Sequence, residues 1–196
     1  MNVPDQNSRE DKMLREILDD IQAARDGSLT AIPDSQVRRW MSTNDPEALG
    51  AIYALLTDAK LSQTIAPPLP FDEVFAFLLR YFEFCIRNDP QGEWVDNRFT
   101  AGSDFVSAFV SFWDARRESK YFGEMKSLLS RLYIEGSGEL KDSIEQAVVE
   151  HLFERPDIRQ FFADWQDDPQ LRPAYDAGKL WAEGGGKSPL TESRRK

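Results

Sequence analysis

Between Phe71 and Asn88 the chain reads FDEVFAFLLRYFEFCIRN. Wound as an α-helix at about 100° per residue, its charged side chains Asp72, Glu73, Arg80, Glu83 and Arg87 fall in one narrow stripe. The rest of the circumference is apolar or aromatic: Val74, Phe75, Phe77, Leu78, Leu79, Tyr81, Phe82, Phe84, Cys85 and Ile86. A helix apolar over so wide an arc has to be covered on more than one side. The segment therefore reads as the central helix of the fold. Phe75, Leu78, Phe82 and Cys85 are expected inside, Arg80 and Glu73 at the surface, and Glu83 pairs with Arg87 one turn on.

Helical spacing recurs through most of the chain. Met13, Ile17 and Ile21, with Leu14 and Leu18, form a stripe over 5–25, and Gly27 stops it. A short helix over 35–41 carries Val37 and Trp40. Asn44 or Asp45 caps the next helix, with Pro46 in its first turn and Leu49, Ile52, Tyr53 and Leu56 on its inner face. After the prolines of 66–70 comes the central helix, and residues 88–102 read as a long loop. Ser103 opens a helix with Phe105, Phe109 and Phe112 on one face, and Gly123 is expected to interrupt or soften the helical pattern that follows. Met125, Leu128, Leu129 and Leu132 lead to Gly136 and Gly138. The next helix, 139–154, has Leu140, Ile144, Val148 and Leu152 at strict four-residue spacing. A short helix from Pro156 and a last one holding Leu171, Tyr175, Leu180 and Trp181 complete the set. Alanine and leucine outnumber valine, isoleucine and threonine, as this pattern requires. The expected fold is all-α: eight or nine helices in stacked antiparallel pairs, an irregular HEAT-like αα-superhelix, with a compact orthogonal bundle as the alternative. Residues 1–183 read as one helical domain and 184–196 as a flexible basic tail.

The charge narrows function. The chain of 196 residues has 34 acidic and 24 basic side chains, a net charge of −10. A nonspecific nucleic-acid binder needs a basic stripe, and none is present. One histidine and one cysteine leave no paired-His, Cys2His2 or disulfide framework. No apolar run is long enough to span a membrane, and the first residues have no signal-like apolar core, so a cytoplasmic location is expected. No cofactor or metal site is expected. GGGKS at Gly184–Ser188 lacks the earlier glycine and the strand–helix setting of a phosphate loop. His151 lies in the middle of the Leu140/Ile144/Ala147/Val148/Leu152 stripe and reads as a packed core histidine with one hydrogen bond. Cys85 reads as a buried hydrophobe. In the 88–102 loop, Trp94, Asp96 and Arg98 read as an anchor, Trp94 packing inward and Arg98 bonding Asp96 or Asp104.

The acids concentrate after residue 139, and Glu150, Glu154, Asp164, Asp167 and Asp168 are the candidates for contacting a basic partner. Asp168 also reads as a helix cap.

Two runs, WVDNRFTAGSDFVSAFVSFW at 94–113 and EHLFERPDIRQFFADWQDDPQLRPAY at 150–175, together resemble a group of small all-helical bacterial proteins of unknown function. The group carries a Trp–acid–x–Arg–aromatic–x–Ala–Gly signature, here Trp94, Asp96, Arg98, Phe99, Ala101 and Gly102. It also carries a Leu-Glu-His-Leu-like helix ending, here Val149, Glu150, His151 and Leu152, with valine at the usual leucine. The resemblance covers about half of the chain and implies no catalytic residue. Some proteins of this kind are associated with bacterial toxins as immunity proteins. The resemblance thus implies a non-enzymatic, cytoplasmic, protein-binding inhibitor of a basic toxin domain. A helical adaptor is the alternative, and an enzyme with an acidic metal site is the weakest reading.

Overall fold

The computed structural model describes residues 6–184, with side chains from Glu10 onward. It is 73% helical, and the fold is all-α. The chain forms two compact units, Met1–Tyr81 with Pro90–Asp96, and Phe82–Asp89 with Asn97–Lys196. Residues 1–183, expected as one domain, are thus shared between both units. Of the basic tail over 184–196, only Gly184 lies within the described residues.

The first unit contains α1 (Gln6–Arg25), α2 (Asp34–Trp40), α3 (Pro46–Thr57) and the first turns of α4 (Phe71–Asn88). Ile17 and Ile21 are fully buried, while Met13, Leu14 and Leu18 are half-buried at the edges of the same stripe. Asp45 caps α3, its carboxylate accepting the Ala48 N–H at 2.9 Å, with Pro46 in the first turn. Two segments between helices are clipped together: β1 (Ile32–Pro33) runs parallel to β2 (Ile65–Ala66), with Ile32 opposite Ile65. Glu16 of α1 gathers α2 beneath it, accepting from Trp40 Nε1 at 3.1 Å, from Gln36 at 3.3 Å and from Arg39.

Phe75, Leu78, Phe82 and Cys85 are buried as expected of α4. One of its charges departs from expectation. Arg80 turns inward, donates to the Met41 carbonyl that ends α2, and lies over the Phe77 ring; burial pushes its pKa down. Glu73 is held by a two-bond contact from Arg38 at 2.7 and 3.3 Å, and Arg38 also reaches Asp34. Those two carboxylates hold the Arg38 pKa above its ordinary value.

The second unit contains the end of α4, then α5 (Arg98–Asp114), α6 (Ser119–Glu135), α7 (Gly138–Ile144), α8 (Glu150–Phe153), α9 (Pro156–Phe161) and α10 (Arg172–Glu183). The expected Glu83–Arg87 pair forms at 3.4 Å. The α5 helix begins at Arg98, not Ser103, because Asn97 caps it through the Thr100 N–H at 3.0 Å. Gly102 is helical, and its bare Cα is what lets Ala147 approach; a Cβ there would lie 2.8 Å from the alanine methyl. Gly123 does not interrupt α6; it sits inside the helix beside open space.

Between α7 and α8 the helix widens into a π turn, Glu145–Val149. This explains the strict four-residue spacing of Leu140, Ile144, Val148 and Leu152. In a regular helix each such step drifts about 40°, so the stripe would wander off its face within three steps. One extra residue in a wide turn sets the register back by about 100°. All four side chains are buried. The same turn carries Ala147 against Gly102, and Val149 against Gly178 of α10.

Rings fill the space that remains. Phe109 is fully buried, with Phe105, Trp113, Phe122, Phe161 and Phe162 around it at centroid distances of 5.5 to 6.4 Å. Phe153 and Trp165 extend the cluster through Phe162, and Tyr175 joins it through Phe153.

Candidate partner-binding surface

The short α9 helix starts at Pro156, whose fixed φ suits a first helical position. Three basic groups pair with acids around it, and each is less exposed than the acids it holds. Lys126 of α6 donates to the Phe161 carbonyl at 3.0 Å, lies over the Phe161 and Phe162 rings, and meets Asp164. The lysine side chain is 15% exposed and the aspartate 70%. Arg159, on α9 itself, is 25% exposed and sits 3.9 Å from Glu183 of α10, which is 57% exposed. Arg155 bridges Asp114 at the end of α5 and Asp157 at the start of α9, at 3.0 and 2.9 Å, and both acids are more exposed than the arginine. Trp113 Nε1 also donates to Asp157, at 2.8 Å. These bonds, Arg155 foremost, hold the Asp157 carboxyl below its ordinary pKa.

Long cationic side chains bury their stems on apolar surface readily, and short carboxylates stay in water. Around α9 that difference leaves Asp114, Asp157, Asp164 and Glu183 on the outside. Asp167, exposed and with no side-chain partner among the described residues, extends the set past the 3-10 turn at Ala163–Gln166. A solvated carboxylate surface of this kind attracts cationic groups at a distance.

The five acids singled out in the sequence divide. Asp164 and Asp167 lie at this surface. Asp168 is half-buried, and its carboxylate accepts the Gln170 N–H at 2.8 Å in the turn before α10. Glu150 is half-buried, and loss of water around it pushes its pKa up. Glu154 faces inward with a side chain only 6% exposed, accepting from Trp181 Nε1 at 3.4 Å and lying 3.2 Å from His151 Nδ1. His151 itself is half-buried and not in the core, because the π turn rotates it off the Leu140–Leu152 face. Asp114, Asp157 and Glu183, with the lysine and arginines that hold such acids outward, escaped the sequence reading. Their pairings mostly join residues far apart in the chain.

The anchor residues are likewise separated. Trp94 and Asp96 belong to the first unit. The Trp94 N–H donates to Glu47 at 3.0 Å, Arg25 lies 4.3 Å over its ring, and its carbonyl covers Gly50, where a Cβ would be 2.1 Å away. Asp96 accepts from the Tyr81 hydroxyl at 2.7 Å, while its own N–H donates to that hydroxyl at 3.0 Å. Arg98, in the second unit, donates to the Ile86 and Arg87 carbonyls at the end of α4 and lies 3.7 Å from Glu139. Main-chain carbonyls, not Asp96, are what its guanidinium satisfies, because the last carbonyls of a helix lack intrahelical donors. Cys85 is fully buried. No group of three or more metal-ligating side chains, and no helix long and apolar enough to cross a membrane, occurs among the described residues. Of the GGGKS run only Gly184 is described.

No protein-family model, no curated protein and no solved structure matches the chain.

Proposed function

We propose that this chain is a cytoplasmic, non-enzymatic binding protein that captures a basic protein domain on the carboxylate surface around α9. The observation that carries the reading is the uniform orientation of the ion pairs there. Lys126, Arg155 and Arg159 are each less exposed than the acids they pair with, Lys126 most markedly. An immunity-type inhibitor of a basic toxin domain is the form suggested by the resemblance of residues 94–113 and 150–175. Such a protein needs no chemistry of its own. It covers its target, and complementary charge speeds the encounter.

The test is capture from the native lysate on immobilised protein, comparing the wild type with Asp164→Asn/Asp167→Lys. Asparagine at 164 avoids placing a second ammonium beside Lys126. A basic protein retained by the wild type, released by salt and lost with the variant supports the reading. Equal retention by a variant with unchanged circular dichroism contradicts it, and a helical adaptor using another face then takes its place.

A further inference from the structure

Residues 185–196 read GGKSPLTESRRK, with Lys187, Arg194, Arg195 and Lys196 against the single acid Glu192. The segment follows directly on α10, which ends at Glu183, and that glutamate lies 3.9 Å from Arg159 of α9. Asp157 sits in the first turn of the same six-residue helix, which is about 9 Å long. Asp164 and Asp167 lie in and just after the 3-10 turn that follows it. All four of these acids are exposed. Twelve residues can span at most about 40 Å, several times the length of α9. Lys187, four residues past Glu183, reaches the near edge of the surface, and Arg194, Arg195 and Lys196 reach all of it. The 3-10 turn has a further feature. Trp165 is 1% exposed, and its Nε1 meets no acceptor among the described residues. Buried donors are rarely left so, and a segment crossing the turn brings main-chain carbonyls to it.

We propose that residues 187–196 lie across the carboxylate surface around α9 of their own molecule and compete there with a basic partner. Sign and tether select this occupant. The segment is the one run of basic excess that the chain carries directly beside these acids. Exposed ion pairs are individually weak. A tethered group, however, acts at an effective concentration in the millimolar range, so a weak contact is enough to occupy the surface for part of the time. The consequence is selectivity. A strongly basic domain displaces the segment and a weakly basic one does not, so the segment sets a threshold of charge for capture. This competition rests on the basic-partner reading; the contact within the chain is measured without any partner.

Two measurements on the full chain test the proposal. In the first, a nitroxide is attached at Ser193→Cys; Cys85 is fully buried and stays unlabelled. The amide signals of residues 157–167 are expected to broaden at about 50 mM salt and to recover at about 500 mM. They are also expected to recover in Asp164→Asn/Asp167→Lys. In the second, a fluorescent ten-lysine peptide stands in for the partner. Arg194→Gln/Arg195→Gln/Lys196→Gln is expected to bind it about fivefold more tightly than the wild type does. With Asp164→Asn/Asp167→Lys also present, that gain is expected to fall below about twofold, whereas a mere change in net charge would keep it. Broadening indifferent to both salt and the variant, or a gain that is absent or that survives loss of the two acids, overturns the proposal. A lysate that yields no basic protein contradicts the partner reading alone, because neither measurement uses one.

Discussion

In the first unit, residues 90–96 are held by a few polar atoms. Glu47 receives the N–H groups of Glu93 and Trp94, and the Tyr81 hydroxyl bonds both the carboxylate and the N–H of Asp96. In the second unit the helices are held by interlocking rings around Phe109 and by glycines that admit a neighbour's side chains. The two solutions fail differently. A hydrogen-bond tie is specific and local, and its removal strands a polar atom. A ring cluster is redundant in its contacts but dense, and its loss leaves a void that the neighbours refill only in part. The first unit should therefore lose segments one at a time, and the second should lose its stability in one step.

The largest expected effect breaks the ring cluster. Phe109→Ala should lower stability by about 4 kcal/mol, read by denaturant unfolding. A cost below about 1 kcal/mol would mean that the rings do not share a core. In the first unit the counterpart is Gly50→Ala, which drives a methyl into the Trp94 carbonyl. Because backbone must move, a loss of about 3 kcal/mol is expected, with faster proteolysis near residue 94. Unchanged proteolysis would show that the segment is not seated on α3. Smaller again is Tyr81→Phe, which leaves the ring stacked on Tyr53 at 4.3 Å but removes the hydroxyl. One stranded N–H and one stranded carboxylate oxygen should cost about 1.5 kcal/mol. Hydrogen exchange should quicken at Asp96 and leave the Phe109 region unaffected, which is the sharpest statement of the difference between the units.

The smallest effects are electrostatic and carry opposite signs. Asp157 has a folded pKa below its ordinary value, so its contribution is present above that ordinary value and fades as pH falls through the folded one. Asp157→Asn should lower the thermal midpoint at neutral pH and leave it unchanged in strong acid. Glu150 is shifted the other way by desolvation, so its ionised form costs stability above the raised pKa, and that cost disappears once the group is protonated. Glu150→Gln should raise the midpoint at neutral pH and do nothing in strong acid. Differential scanning fluorimetry across pH separates the two; matching signs at neutral pH would refute this account of the two sites.

The sequence showed those features that repeat at helical spacing. The apolar arc of α4, the Phe105–Phe109 face and the Asp45–Pro46 start were legible because each is written within a few residues. Legibility stopped where contacts join distant segments. Arg80 looked like a surface charge because its stripe is polar, yet the carbonyl that receives it belongs to Met41. Gly102 looked like a loop because nothing nearby in the chain announces Ala147. The π turn did leave a mark, the over-regular spacing of Leu140, Ile144, Val148 and Leu152, but that spacing also reads as plain helix. For the surface, acidity was visible in the composition; which acids face outward was not. Glu154 and Asp164 look alike in sequence, and only the folded positions of Trp181, His151 and Lys126 separate the inward carboxylate from the outward one.

The claim that the carboxylates around α9 recruit a basic domain is tested most directly by the association rate of a captured partner, measured by surface plasmon resonance as salt rises from about 50 to about 500 mM. Screening shortens the Debye length from about 13 to about 4 Å over that range. The account predicts a fall in association rate of at least about tenfold, a weaker dependence in Asp164→Asn/Asp167→Lys, and a dissociation rate that changes little. An association rate indifferent to salt and to the variant would contradict it.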